Sequence, residues 1–500
     1  FKKGNKQTNK QKMKRAKDKS DYQKTSFEWR RWLMLLVVSL HNFVQFSNMF
    51  AFVTVEQEVA AEYEIQPNSV NWLANIFSAS YIPSTFLATF LFQLKGVRYG
   101  LLFSAVLMSL GCWVRVFSCW LNYNFSILLL GQLTISFSQA LCLLSPVRVA
   151  TDWFRVDEHS LANNIGVYAG SLGSSAGLLL PGLFMSDTHS FDFQGYILAQ
   201  AVFSSLILLM TITLYQEKPA NFPSALSSRV ILSSLPVSSG EQSTASDSCP
   251  QQISTFMLFI TSTYDLLENW IDLLVQHSHF RHLCLANMML TGILLSFLTV
   301  IAQYLSFFNY SQPVAGAAGM SVIFTGLCFA FFTSCITDRW HNYNSFIKVM
   351  SGLMFLSTIL LVVFLIPKNE LKMLILISIP FGLNSAFGPH AIELAVEYTF
   401  PLSEDVASGL ISIFGSLGGL GFTLILGTLL QKDRSTANKQ LQPESMFLII
   451  TTGIGFIFTL LCNGQYQRYK KIMNKPQISQ NQSFDNANNI IGEEGEISLA

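Results

Sequence analysis

The stretch IELAVEYTFPLSEDVASGL, Ile392 to Leu410, holds Glu393, Glu397, Glu404 and Asp405 and no Lys or Arg. An apolar run at about 371 to 392 leads into it and another, at about 406 to 430, leads out, each near the ~20 residues a helix needs to cross a bilayer. The acids therefore mark a membrane boundary between two spans, and the rest of the chain is read outward from there.

Half of the 500 residues are apolar, 42 are Phe, and only 12% are charged, where a soluble protein has about a quarter. Hydropathy places further spans at roughly 32 to 55, 70 to 93, 100 to 120, 125 to 147, 161 to 185 and 194 to 215, then 280 to 305, 318 to 337, 345 to 366 and 445 to 466. The expected fold is an all-α membrane protein of twelve transmembrane helices in two pseudo-symmetric six-helix halves. Its expected parts are a basic cytosolic arm (1–31), a first bundle (32–216), a cytosolic linker with an amphipathic helix (217–278), a second bundle (279–467) and a polar cytosolic tail (468–500).

Twelve Lys or Arg against three acids in the first 31 residues place the N-terminus in the cytosol by the positive-inside bias. Lys95, Arg98, Arg148, Arg155, Arg339 and Lys348 fall on the same side, while Glu56, Glu58, Glu62 and Glu64 fall outside. Lys368, Lys372, Lys432, Arg434 and Lys439 run against the bias. The sequons at Asn124 and Asn309 lie in outer loops and are candidate glycosylation sites. A basic head running into a full-length span predicts no cleaved signal peptide. That head is either a solvated arm or one drawn to anionic lipid. The expected location is the plasma membrane, with an organelle membrane as the alternative.

The segment 217–250 is rich in Ser and Pro and reads as a disordered linker. The following FMLFITSTYDLLENWIDLLV, Phe256 to Val275, is apolar but carries Asp265, Glu268 and Asp272, which fits an amphipathic helix at the cytosolic surface. Eight cysteines make no CxxC or Cys/His ligand spacing, so they read as packing residues, with no metal or cofactor expected.

The two halves can be aligned on the opening stretch. SPVRVATDWFRVDEHSLANNIG, Ser145 to Gly166, matches GPHAIELAVEYTFPLSEDVASG, Gly388 to Gly409, pairing Asp152 with Glu397 and Asp157–Glu158 with Glu404–Asp405. Next come two glycine rows, Gly166, Gly170, Gly173 and Gly177 against Gly415, Gly418, Gly419 and Gly421, which suit either close static packing or helices that rock. Arg148 and Arg155 stand in the first half where Glu393 and Glu397 stand in the second. The expected arrangement is a cytosolic ion-pair seam between the halves; the alternative is a set of solvated loop acids.

These residues resemble a family. Turns after the second and eighth spans, at Gly96-Val-Arg98 and Asp338-Arg339, look like those of the major facilitator superfamily. VNWLANIFSASYIPSTFLAT, GQLTISFSQALCLLSPVRVATDWF and above all ELAVEYTFPLSEDVASGL resemble the feline leukaemia virus subgroup C receptor-related transporters, over about residues 30 to 466. The resemblance implies choline or ethanolamine as cargo, with haem export proposed for one member. It puts the family's amine-contacting glutamine at Gln139. The family's pocket tryptophan falls on Met49, its tyrosine on Leu295 and its second glutamine on Ser416, and Gln93 stands where an aspartate is usual. The replaced aromatics remove cation–π faces a quaternary ammonium would use.

Polar residues within spans point to a pathway, here Gln45, Asn48, Gln139, Gln200, Asn287, Gln303, Asn384 and His390, though each can equally be an interhelical hydrogen bond. Gln45 and Asn48 are the expected neighbours of Gln139. No acid or base is expected at mid-span, which favours a facilitative carrier of a neutral or singly charged solute working by alternating access. No P-loop, HExxH or GxSxG is present, so no enzyme is expected. The expected partners are a small-molecule solute and the bilayer, with no nucleic acid, in a monomer. The competing readings are an exporter of haem or another metabolite, and a non-transporting membrane receptor or scaffold.

Overall fold

A computed structural model describes residues 29–154, 158–183, 192–216, 255–340, 343–364, 369–399, 404–431 and 442–464. Most of the basic arm, the Ser/Pro linker, the polar tail, Arg155 and Asp157 lie outside these residues, as do the side chains of Gln93, Asp338, Arg339, Glu404 and Asp405.

The described secondary structure is helical. Helix α1 (29–49) is followed by short α2 (Glu56–Glu62), then α3 (Pro67–Lys95), α4 (Val97–Trp120), α5 (Phe125–Ser136), α6 (Gln139–Trp153), α7 (His159–Leu183) and α8 (Phe193–Leu214). After the linker come α9 (Thr255–Gln276), α10 (Ser278–Ser306), α11 (Gln312–Trp340), α12 (Tyr343–Phe364), α13 (Glu370–Thr399), α14 (Glu404–Leu430) and α15 (Pro443–Leu460). Among the described residues nine stretches are long and apolar enough to cross a membrane: α4, α5 with α6, α8, and α10 to α15. Helices α1, α3 and α7 occupy the places expected for spans one, two and five. They are more polar because they face neighbours, α3 burying Asn71, Asn75, Ser78 and Ser80. The first span is shorter than its hydropathy suggests, since the helix ends at residue 49 and turns fill 50–55.

One register relates the two sets of helices. Helix α3 and helix α11 begin 245 residues apart (Pro67, Gln312) and end 245 apart (Lys95, Trp340). The same interval separates the starts of α5 and α13, and of α7 and α14. Within the glycine rows Gly170 and Gly415, and Gly173 and Gly418, keep it. A Cβ at Gly173 on α7 would lie 2.1 Å from Phe43 O on α1, and one at Gly418 on α14 would lie 2.2 Å from Met288 O on α10. These glycines let backbones touch within each set of helices, which fits static close packing and not a sliding surface. Gly421 meets nothing within 4 Å.

Outward faces are apolar at helical spacing, as in Phe103, Val106, Leu110 and Phe117 on α4, and Val349, Leu353, Leu356 and Leu360 on α12. Gly96, at φ 82°, lets α3 turn directly into α4. Helix α9 buries Leu266, Trp270 and Leu273 and exposes Leu267, Ile271 and Val275. Cys112, Cys119, Cys142, Cys284 and Cys462 are buried free thiols, in keeping with packing residues, whereas Cys328 is exposed.

Candidate functional site

The fourth span is broken. Helix α5 ends at Ser136, and α6 starts at Gln139 after a two-residue turn. Serine hydroxyls bond back to helical carbonyls at the break. The Ser136 hydroxyl lies 2.7 Å from Leu133 O, and that of Ser138 lies 2.6 Å from Ile135 O and 2.7 Å from Gln45 Oε1, sharing one proton between them. Gln45 then gives its Nε2 to the freed Ile135 carbonyl at 3.2 Å. Both ends of the Gln45 amide are thus committed to holding the break. Discontinuous helices at membrane depth occur where backbone lines a cavity.

Gln139 opens α6 at 7% exposure, and its Oε1 has no hydrogen-bond partner. Asn384 lies 245 residues later on α13. Its Nδ2 donates to Leu290 O, and its Oδ1 is likewise buried without a partner. An unsatisfied buried acceptor costs ~1–3 kcal/mol, so a matched pair of them points to something that supplies donors.

The other expected site residues divide. Leu295 of α10 and Ser78 of α3 both lie against Gly419 of α14: a Cβ at Gly419 would lie 3.1 Å from Leu295 Cβ and 3.5 Å from Ser78 Oγ. Ser416 is buried on the same helix, α14. Met49 is buried in apolar core. Asn48 points toward α4, where its Oδ1 accepts from Cys112 Sγ at 3.7 Å, while its main-chain oxygen accepts from Gln132 Nε2 at 3.0 Å. Gln132 Oε1 in turn accepts from Arg115 at 2.9 Å.

Arg115, 0% exposed on α4, also bonds Gln200 Oε1 and lies 5.1 Å over the Phe52 ring. It ties α4, α5 and α8 together through neutral amides. His390 is a partnered core residue, with Nδ1 3.1 Å from Ala386 O and its ring stacked on Phe346 at 4.9 Å.

Contacts cross between the two sets of helices at both ends of the bundle. At the end that carries α2, Gln303 of α10 donates to Glu56 of α2 and bonds Asn71 of α3. Desolvation by burial, assisted by Glu58 and opposed by the Gln303 hydrogen bond, pushes the Glu56 carboxyl up to about 8. Thr54 donates to Leu178 O of α7, which a Cβ at Gly316 of α11 would approach to 2.8 Å. At the end that carries α9 the Trp270 ring packs 5.2 Å from Phe86 of α3, and its Nε1 donates to Val406 O of α14 at 3.1 Å. Of the expected seam, Arg148 and Glu397 are half-buried and Glu393 exposed; all three interact with neighbours, Glu393 lying within electrostatic reach of Tyr168 on α7. Glu158, read as part of an acid pair, is bound at 2.6 Å by Arg31 of α1. Asn124 is exposed and caps α5 through Ser126 N, and Asn309 is exposed in a turn at φ 60°. Among the described residues no cluster of His, Cys, Asp or Glu could hold a metal.

Sequence reasoning missed the break, the Glu56 contact and the Arg115 network. The break leaves no mark in the hydropathy, which is continuous over 125–153. The other two depend on partners 247 and 85 residues away, which no local pattern reports.

The chain matches the Major Facilitator Superfamily over residues 37–423. It is 26% identical over 472 residues to the mouse (Mus musculus) choline/ethanolamine transporter FLVCR1, covering 89% of this chain and 77% of that protein. It is 27% identical over 411 residues to zebrafish (Danio rerio) solute carrier family 49 member A3, covering 80% and 78%. Among solved structures it is similar to a D-xylose–proton symporter, with a TM-score of 0.61 at 12% identity over 86% of this chain and 97% of the other.

Proposed function

Because this chain belongs to the Major Facilitator Superfamily and is an integral, multi-pass membrane protein, we propose that it is a facilitative carrier moving a small organic amine of the choline/ethanolamine type by alternating access. The observation that carries the reading is the pair of buried, unpartnered amide oxygens on Gln139 and Asn384, one repeat interval apart. The names of the similar transporters supply the cargo class.

In this reading twelve helices form two six-helix halves, 32–216 and 279–467, joined by the linker and α9. Gln139 and Asn384 face the cargo with Met49, Leu295 and Ser416, while Gln45 and Asn48 brace the first half around them. Arg148 and Arg155 against Glu393 and Glu397 form the cytosolic gate, with the Glu56–Gln303 contact as its outer counterpart. Asn124 and Asn309 carry glycans, and a monomer works at the plasma membrane with no enzymatic step.

Purified protein in liposomes tests this. Saturable uptake of labelled ethanolamine or choline that persists under a protonophore is the expected result. No uptake of either, with folded protein in the bilayer, would favour the receptor or scaffold reading.

A further inference from the structure

A cavity of about 100 Å³ lies between α1, α6 and α7, far above the ~10–15 Å³ that a single water requires. Asn42 and Phe46 line it from α1, Leu143 and Pro146 from α6, and Ser171 and Ser174 from α7. None of these residues was singled out by the resemblance. Leu143 is one helical turn beyond Gln139, on the same face of α6.

The polar groups of the cavity are unusual. Asn42 gives its Nδ2 to Val38 O at 3.3 Å, which fixes the orientation of the amide, and leaves Oδ1 buried with no partner. The second half shows what the same residue does when satisfied. Asn287, 245 residues on, donates to Ile411 O at 2.8 Å and accepts from the Thr291 hydroxyl at 2.7 Å. In the first half the position of Thr291 is held by Phe46 and that of Ile411 by Gly166. The repeat is therefore broken where the hydroxyl is replaced by an aromatic face, and an acceptor is left open beside that face. Ser174 donates to Gly170 O at 3.3 Å, so its oxygen too is available as an acceptor.

We infer that this cavity is a subsite for a hydrogen-bond-donating head group, a primary ammonium in preference to a quaternary one. An ammonium with N–H groups satisfies Asn42 Oδ1 and Ser174 Oγ while lying against Phe46. A fully methylated nitrogen leaves Asn42 Oδ1 unpaired. The inference rests on the amine-carrier reading for the identity of the cargo, but the subsite can be tested separately.

Uptake would be competed with ethanolamine, N-methylethanolamine, N,N-dimethylethanolamine and choline. Apparent affinity should fall with methylation, by about tenfold or more between the ends, the loss expected for one buried acceptor left unpaired. Asn42→Leu removes the acceptor, and Phe46→Thr supplies it with a hydroxyl as Thr291 does for Asn287; both should compress the ratio to within about threefold. A flat wild-type series, or a ratio unchanged in folded Phe46→Thr, overturns the subsite. If no amine is transported, the carrier reading fails by itself. Thermal stabilisation by ethylammonium chloride, lost in Phe46→Thr, would still support the subsite, and its absence in wild type would overturn it.

Discussion

Gln303 Nε2 donates to Glu56 Oε2 at 2.6 Å, joining α10 to the short helix that follows α1. Among the described residues no cation acts on Glu56; Glu58 adds like charge, and Asn71 completes the contact as a neutral amide. The carboxyl, raised from 4.5 to about 8, is neutral in this arrangement at neutral pH. A group raised in this way favours the closed arrangement fully below 4.5, and the advantage is lost as pH rises through about 8. Outer closure should therefore weaken with alkalinity. The check is accessibility of a cysteine introduced at Ser69 to a membrane-impermeant thiol reagent between pH 6 and 9. Glu56→Gln should flatten that profile while keeping the outer side closed. An equally steep profile in the variant would assign the effect elsewhere.

The glycine rows give a paired prediction on stability. Ala at Gly173 or at Gly418 would press a methyl to within 2.1 or 2.2 Å of a facing carbonyl, so each should destabilise by about 1–3 kcal/mol, the usual cost of overpacking. Gly421→Ala, with nothing within 4 Å, should be neutral or slightly stabilising. Melting of the three variants in detergent decides this. A tolerated Gly173→Ala would mean that α7 can move on α1.

The spans and the repeat were legible because hydropathy and matched glycines are written along the chain. Expected starts such as 70, 100, 125, 161, 371 and 406 lie within about three residues of the observed helices. The break before Gln139 was not, since hydropathy over 125–153 is continuous. Gln139 was one polar span residue among several, and the resemblance set it above the rest. Its partner Asn384 looked like one polar residue among several until the shared interval and the same orphaned oxygen set it apart. Asn48 faces Cys112 on α4, and a polar residue within a span does not by itself report which neighbour it faces.

Trp270 should act as a cytosolic latch, since it touches α3 through Phe86 and α14 through Val406 O. Trp270→Phe keeps the ring contact and loses the hydrogen bond; Trp270→Ala loses both. Inner accessibility to a thiol reagent at an introduced Thr85→Cys should rise in the order wild type, Phe, Ala. No change in the alanine variant would reduce α9 to a surface helix.

The last prediction concerns Gln139, where a break, an orphaned acceptor and the family resemblance coincide. The amide carbonyl is buried, and the α5–α6 turn behind it is already satisfied by Gln45 and Ser138. Removing the side chain should therefore spare the fold. Gln139→Ala should weaken cargo binding by about 1–3 kcal/mol, the range for losing one buried hydrogen bond, with melting unchanged. Gln45→Leu should behave oppositely, lowering the melting temperature first, because it removes the side chain that braces the turn through Ile135 O and the Ser138 hydroxyl. Met49→Trp restores an aromatic face in the same half and should raise choline affinity several-fold, as a cation–π contact is worth ~0.5–2 kcal/mol. Direct binding of labelled choline and ethanolamine to the three purified variants separates the roles. Binding untouched in Gln139→Ala would move the cargo site away from the broken helix, and a choline affinity unmoved by Met49→Trp would show that residue 49 does not face the cargo.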